Sequence, residues 1–124
     1  MSLNSYPSIE GGEIALAQAM QAYVAGLTPS IYHNPILIKP MLSDKAEYII
    51  LGRPRAQLSF NDYLNNNLIR RLAVNAVKAS IRKLTMEYDV VVGEGGRDLR
   101  MSQTSPVGTW LILDLLSGLM PMSL

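Results

Sequence analysis

The sequence predicts an α+β domain. The expected form is an antiparallel sheet of two hairpins plus an edge strand, covered by two or three helices in the order α-β-β-β-α-β-β-α. Three observations carry this. Two pairs of alternating apolar segments are each joined by a glycine-bearing turn. Two longer segments repeat their apolar residues at helical spacing. One short apolar run is bracketed by prolines.

Residues 1–12 contain Pro7, Gly11 and Gly12 and read as an N-terminal arm. From Glu13 to Leu27 the pattern is helical, with Leu16, Met20, Tyr23 and Leu27 in one stripe and Gly26 and Pro29 as the stop. Residues 35–41 read as a strand. A proline cannot donate to a ladder, so Pro35 and Pro40 put that strand at an edge. Lys45–Leu51 and Arg55–Phe60 alternate about Gly52-Arg53-Pro54. A turn centred there would set Ile49 opposite Leu58 and Leu51 opposite Ala56, with Phe60 on the same core face.

The longest helix should begin near Asn61 or Asp62, or after Asn67, and run to about Leu84. Arg71, Asn75, Lys78 and Arg82 form a narrow polar wedge on it. Leu68, Ile69, Leu72, Ala73, Ala76, Val77 and Leu84 fill most of the remaining arc. An apolar arc so wide predicts a helix covered on more than one side. A second hairpin is expected from Glu87–Val92 and Arg97–Ser102 about Gly93-Glu94-Gly95-Gly96, with Asp89 opposite Arg100. Ser105-Pro106 opens a last segment through Ser117 that suits a helix, with a strand as the alternative. Domain organisation follows: an arm at 1–12, one α+β domain at 13–118, and an apolar tail at 119–124.

Of the 124 residues, 48% are apolar and only 17% charged. Soluble domains average about 25% charged, so the chain is no polyelectrolyte and its surface is short of charge. With no Cys there is no disulfide, thiol nucleophile or Cys-ligated metal, and one His excludes multi-histidine sites. No cofactor or metal is expected. The start, Met1-Ser2-Leu3-Asn4-Ser5, lacks the features of a secretory signal. The run Trp110-Leu111-Ile112-Leu113 is far short of the ~20 apolar residues a bilayer span needs. The expected location is the cytoplasm, or a virus particle assembled there.

The net charge of +1 is unevenly spread: residues 1–52 balance to −2, residues 53–83 to +6, and residues 84–124 to −3. A solvated basic helix face explains this most simply. Self-association explains it too, with the basic strip of one copy on the acidic hairpin of the next. That contact would use Arg71, Lys78, Arg82, Trp110, Met120 and Met122. A nucleic-acid interface through Arg53, Arg55, Arg70, Arg71, Lys78 and Arg82 is the third reading. No aromatic side chains interleave with those cations to stack on bases.

Signals for catalysis are weak. Gly93–Gly96 lacks the Lys and Ser or Thr of a phosphate loop. His33 has no acid or nucleophile beside it in sequence to make it a general base. Glu87 and Asp89 would lie on one side of a strand roughly 7 Å apart, where an ion pair of Asp89 with Arg100 is the simpler role. Glu10 and Glu13 suit the positive end of a helix dipole. The sequence therefore predicts a non-enzymatic assembly subunit that forms a homo-oligomeric ring or shell, such as a virus or phage component. Its partners would be copies of itself and other assembly proteins, with a nucleic-acid-binding module as the alternative. The element order is similar to that of small phage head–tail joining proteins, without a motif to carry the likeness.

Overall fold

The computed structural model describes residues 4–93, and the compact unit discussed below runs to Val90. It is α+β, with two antiparallel sheets of two and three strands and three helices. The elements are β1 (Ser5–Pro7), β2 (Glu13–Ala15), α1 (Leu16–Val24), β3 (Ile36–Pro40), β4 (Lys45–Ile50), β5 (Arg53–Ser59), α2 (Phe60–Asn65) and α3 (Asn67–Glu87).

The segment that reads as an arm carries β1, which pairs with β2 through Tyr6 and Ile14. The helix expected from Glu13 begins only at Leu16, because Glu13–Ala15 is that second strand. Its expected stripe is also corrected. Met20 and Tyr23 are about half exposed, whereas Ala15, Ala19 and Ala22 are buried. The helix turns its small residues inward. Gly26, with φ +74°, ends it as expected. The Gly26 N–H donates to the Tyr23 carbonyl at 2.9 Å and the Leu27 N–H to Ala22 at 2.8 Å.

The three-stranded sheet has the order β3-β4-β5, so β3 does lie at an edge. The turn between β4 and β5 comes earlier than the sequence suggests. It is centred on Leu51 and Gly52, both at positive φ (47° and 74°), the geometry of a two-residue hairpin turn. Ile50 therefore faces Arg53 and Ala46 faces Leu58, not Ile49 and Leu58. A bulge beside Tyr48 and Ile49 lets Ile49 pair with Pro54 and leaves Arg55 outside the ladder.

Both faces of this sheet are covered. On one, Ile50 packs with Ile69, Ala73 and Ala76 of α3, joined by Ile36, Ala56, Leu58 and Tyr63. On the other, Leu37 and Ile49 pack with Ala15 of β2. Hence Tyr48, Ile49 and Ile50 are buried in succession, where a sheet covered on one face would alternate. Tyr48 also stacks on Tyr63, with ring centroids 4.5 Å apart and planes 6° from parallel.

Ser59 caps α2, its hydroxyl accepting from the Asp62 N–H at 3.2 Å, and Asn66 caps α3 by accepting from Ile69 N–H at 3.1 Å. Two helices thus stand where one was expected: α2 is capped by Ser59 rather than by Asn61 or Asp62, and the long helix starts at Asn67, at the end of the Asn run as the second expected start has it. α3 is not wrapped on several sides. Ile69, Ala73, Ala76 and Ser80 are buried, while Leu68, Leu72 and Met86 are exposed. It also runs three residues past Leu84, and a Lys83–Glu87 pair at i, i+4 supports that extra turn. The expected strand from Glu87 to Val92 is therefore absent: Glu87 ends a helix, and residues 88–93 form no ladder. The return strand at 97–102, the segment at 107–117 and the tail at 119–124 lie outside the described residues.

Candidate functional site

The richest polar grouping lies where the β1–β2 turn meets residues 28–34. Ser8 organises the turn: its N–H donates to the Gly12 carbonyl at 2.7 Å, and its hydroxyl accepts from Gly12 N–H at 3.2 Å. Gly11 supplies the positive φ of 80° that reverses the chain. Glu10 then points at the neighbouring loop. One carboxylate oxygen accepts from the Ser30 hydroxyl at 2.5 Å, the other from Ile31 N–H at 3.1 Å. Desolvation opposes ionisation of Glu10, but bonds from Ser30, Ile31, its own N–H and Ser8 together hold its carboxyl below the usual range.

His33 belongs to this cluster. Its Nδ1 accepts from Ser30 N–H at 3.2 Å, so the ring proton sits on Nε2. The fold thus supplies both partners that the sequence leaves missing around His33, an acid (Glu10) and a hydroxyl (Ser30). Their wiring is not that of an activated nucleophile. The serine proton points to Glu10, and the nitrogen nearest the serine is engaged with the backbone. The trio pins a loop.

A second charged pair lies across the sheets. Lys39 of β3 donates to Glu13 of β2 at 2.5 Å, and both side chains are about a quarter exposed. Desolvation raises the Glu13 pKa, yet bonds from Lys39 and Ser5 and the Lys39 charge outweigh it and leave the carboxyl below the usual range. Glu13 borders an open cleft of about 410 Å³ lined also by Ser5, Tyr6, Gly11, Gly12 and Gly52. Asn34 fastens the same corner: its Oδ1 accepts from Ala15 N–H at 2.9 Å and its Nδ2 donates to the Ile36 carbonyl at 3.0 Å. Glu10 and Glu13 are therefore not helix-start charges. One sits in a turn and one in a strand, and the first turn of α1 has no acid. Among the described residues no group of three His, Cys, Asp or Glu is placed to hold a metal ion.

The basic strip survives in part. Arg71 and Arg82 are exposed and Lys78 half-buried on one side of α3, without an ion pair among the described residues. Arg70 is diverted, donating to the Leu64 carbonyl at 3.1 Å at the end of α2. Arg53 and Arg55 lie on β5, a separate element. Lys83 leans over the Tyr32 ring at 5.2 Å and pairs with Glu87, whose hydrogen bond raises the lysine's pKa. Trp110, Met120 and Met122 lie outside the described residues, as does Arg100.

No family model matches the chain, and no solved structure matches it. Curated proteins do. A cobyric acid synthase of Desulforamulus reducens is 44% identical over 95 residues, which is 77% of this chain and 18% of that protein. The chain is similar to a stretch of cobyric acid synthase. A probable cobyric acid synthase of Picrophilus torridus is 46% identical over 95 residues, covering 77% of this chain and 20% of its own length. In Gloeothece citriformis a cobyric acid synthase is 34% identical over 131 residues, 95% of this chain and 26% of that protein. The chain spans about a fifth of the length of the curated relatives it matches.

These relatives are enzymes by name, which overturns the expectation of a non-enzymatic ring, shell or virion component, and with it the stand-alone nucleic-acid-binding module. The expectation rested on scarce charge and uncovered apolar surface, and neither feature separates a self-assembling subunit from a stretch of a larger enzyme. Among the described residues, no helix is long and apolar enough to cross a membrane.

Proposed function

We propose that this chain does the work of one segment of a cobyric acid synthase, and that its Glu13–Lys39 corner faces the substrate of that enzyme. The observation that supports it is the identity of 34–46% with proteins of that name over at least 95 residues. The corner suits the role chemically. The Glu13 carboxylate borders an open cleft and is held by the Lys39 ammonium behind it, and Gly11, with nothing within 4 Å of a Cβ, leaves the backbone of that cleft open to a ligand. His33 stays a loop residue in this reading. A cytoplasmic location goes with it.

A segment exchange tests the proposal. The 95-residue stretch of the Desulforamulus reducens synthase that matches this chain is replaced by the corresponding residues of this chain. The chimera is then placed in a strain lacking its own cobyric acid synthase. Cobyric acid should be made. Glu13→Gln in the chimera should lower its formation about tenfold or more, the loss of one charge-assisted contact. A soluble chimera that makes none, at the expression level of the parent enzyme, would defeat the reading.

A further inference from the structure

On α3, Leu68, Leu72, Asn75, Ala79, Arg82 and Met86 follow one another at spacings of 4, 3, 4, 3 and 4. Residues so spaced lie along one side of a helix, where the seam of a helix pair would run, and three of the six are large and apolar. All six are exposed, Leu68 at 68%, Leu72 at 39% and Met86 at 87%. The buried side of α3 is a different one, formed by Ile69, Ala73, Ala76 and Ser80. The exposed seam is about 27 Å long. Ala79 lies near its middle, where a partner backbone can come close. The stem of Arg82 adds apolar cover, and Asn75 offers a polar group that fixes register.

Arg71 and Lys78 flank this seam at equivalent heptad positions, seven residues apart, and neither has an ion pair among the described residues. The flank on the other side is taken up by Ile69 and Ala76, which face the sheet, and by Lys83, which already has Glu87. The seam's spacing is symmetric about its centre, so two copies could pair antiparallel. Charge argues against that: Arg71, Lys78 and Arg82 of each copy would meet the same three cations.

We propose that this face of α3 docks an amphipathic helix of about five turns with apolar seam residues and acidic flanks, carried by the part of a cobyric acid synthase that this chain does not span. The source of the helix rests on the function proposed above; its chemistry rests on the surface alone. The relatives' additional length, about four-fifths of each protein, provides the polypeptide to cover it.

Two measurements test the idea. In the first, fluorescein-labelled helical peptides with leucine seams are titrated with the full chain and read by anisotropy, one peptide flanked by Glu and the other by Lys. The Glu-flanked peptide should bind at least tenfold tighter. Leu72→Glu should weaken it at least tenfold, Arg71→Glu with Lys78→Glu should invert the preference, and Val24→Glu on α1 should change nothing. Equal affinity for both peptides, or indifference to Leu72→Glu, would overturn the docking face. So would a dimer in light scattering that Leu72→Glu splits, because the occupant would then be a second copy. In the second, Arg71→Glu with Lys78→Glu should lower the thermal midpoint of the segment-exchanged synthase by at least about 3 °C while leaving that of the isolated chain unchanged. An equal shift in both would overturn the synthase as the source of the helix. Neither readout needs cobyric acid to be formed, so failure here and failure of the proposed activity are separately visible.

Discussion

Replacing Gly12 by alanine should be among the most damaging single-methyl changes in the chain. A Cβ built on Gly12 would lie 2.8 Å from Gly52 Cα and 3.0 Å from both the Gly52 carbonyl oxygen and Ile31 Cγ2. Two of these three atoms are backbone and cannot rotate away, so the β1–β2 turn and the β4–β5 turn must separate. Forced separation of packed elements costs about 1–3 kcal/mol. The Glu13 N–H bond to the Gly52 carbonyl, at 3.0 Å, spans the same contact, and losing it adds about 1 kcal/mol. Together these give about 2–4 kcal/mol, or a fall of at least about 8 °C in a domain of this size.

The comparison that isolates the cause is Gly11→Ala. Gly11 has the left-handed φ of 80° but nothing within 4 Å of a Cβ, so its cost is backbone strain alone, about 1–2 kcal/mol. Urea unfolding of the full chain, followed by circular dichroism, gives both values. Hydrogen exchange at the Glu13 amide reports the contact directly and should speed up in Gly12→Ala only. If Gly12→Ala costs no more than Gly11→Ala, or leaves that amide protected, the two turns do not meet as argued.

Three further predictions follow from buried or paired groups. Ser80 is 2% exposed and its hydroxyl has no hydrogen-bond partner among the described residues, so Ser80→Ala should raise stability by about 1 kcal/mol in the same urea assay, and a loss would show that the hydroxyl is satisfied. Asn34→Ala removes two bonds that join β2 to β3 and should cost about 1–3 kcal/mol, with faster exchange at the Ala15 amide; an unchanged midpoint would refute the clamp. The Glu13 carboxyl is held below its ordinary range in the fold and so binds fewer protons folded than unfolded. Its contribution is complete above the unfolded pKa, near 4.3, and is lost as pH falls through the folded value. The stability gap between the wild-type chain and Glu13→Gln should therefore be constant from pH 7 to 5 and shrink below about pH 4. A gap that persists to pH 3 would mean that Lys39 does not sense the Glu13 charge.

The middle of the fold was legible from the chain because its signals are local. Prolines bracket β3, alternation marks β4 and β5, and 3.6-residue periodicity marks α3. What escaped depends on contacts between distant segments. Periodicity chose Met20 and Tyr23 for the inner face of α1 because they are large, yet the residues that α1 buries are Ala19 and Ala22. The β-branched run Val90–Val92 suggested a strand, but a strand needs a partner, and upstream of it Lys83 and Glu87 favour one more helical turn. The candidate site shows the same limit. Glu10 and Ser30 are 20 residues apart, Glu13 and Lys39 are 26 apart, and no spacing rule links either pair. The Gly11-Gly12 pair was a signal, since adjacent glycines beside an acidic residue suit a tight turn as well as a loose arm.

The junction of β2 with α1 has a mechanical consequence. Ala15 ends the strand and Leu16 begins the helix, with no intervening loop to absorb a rotation. The Ala15 N–H is bonded to Asn34, the Leu16 N–H to the Asn4 carbonyl at 3.2 Å, and the Tyr6 hydroxyl meets that of Tyr23 at 2.9 Å. Hairpin and helix are therefore joined without a hinge, and the Gly12–Gly52 touch point lies at the turn of that hairpin. A molecule that settles against Glu13 and tilts the hairpin would swing the far end of α1, carrying the uncovered Val24 with it.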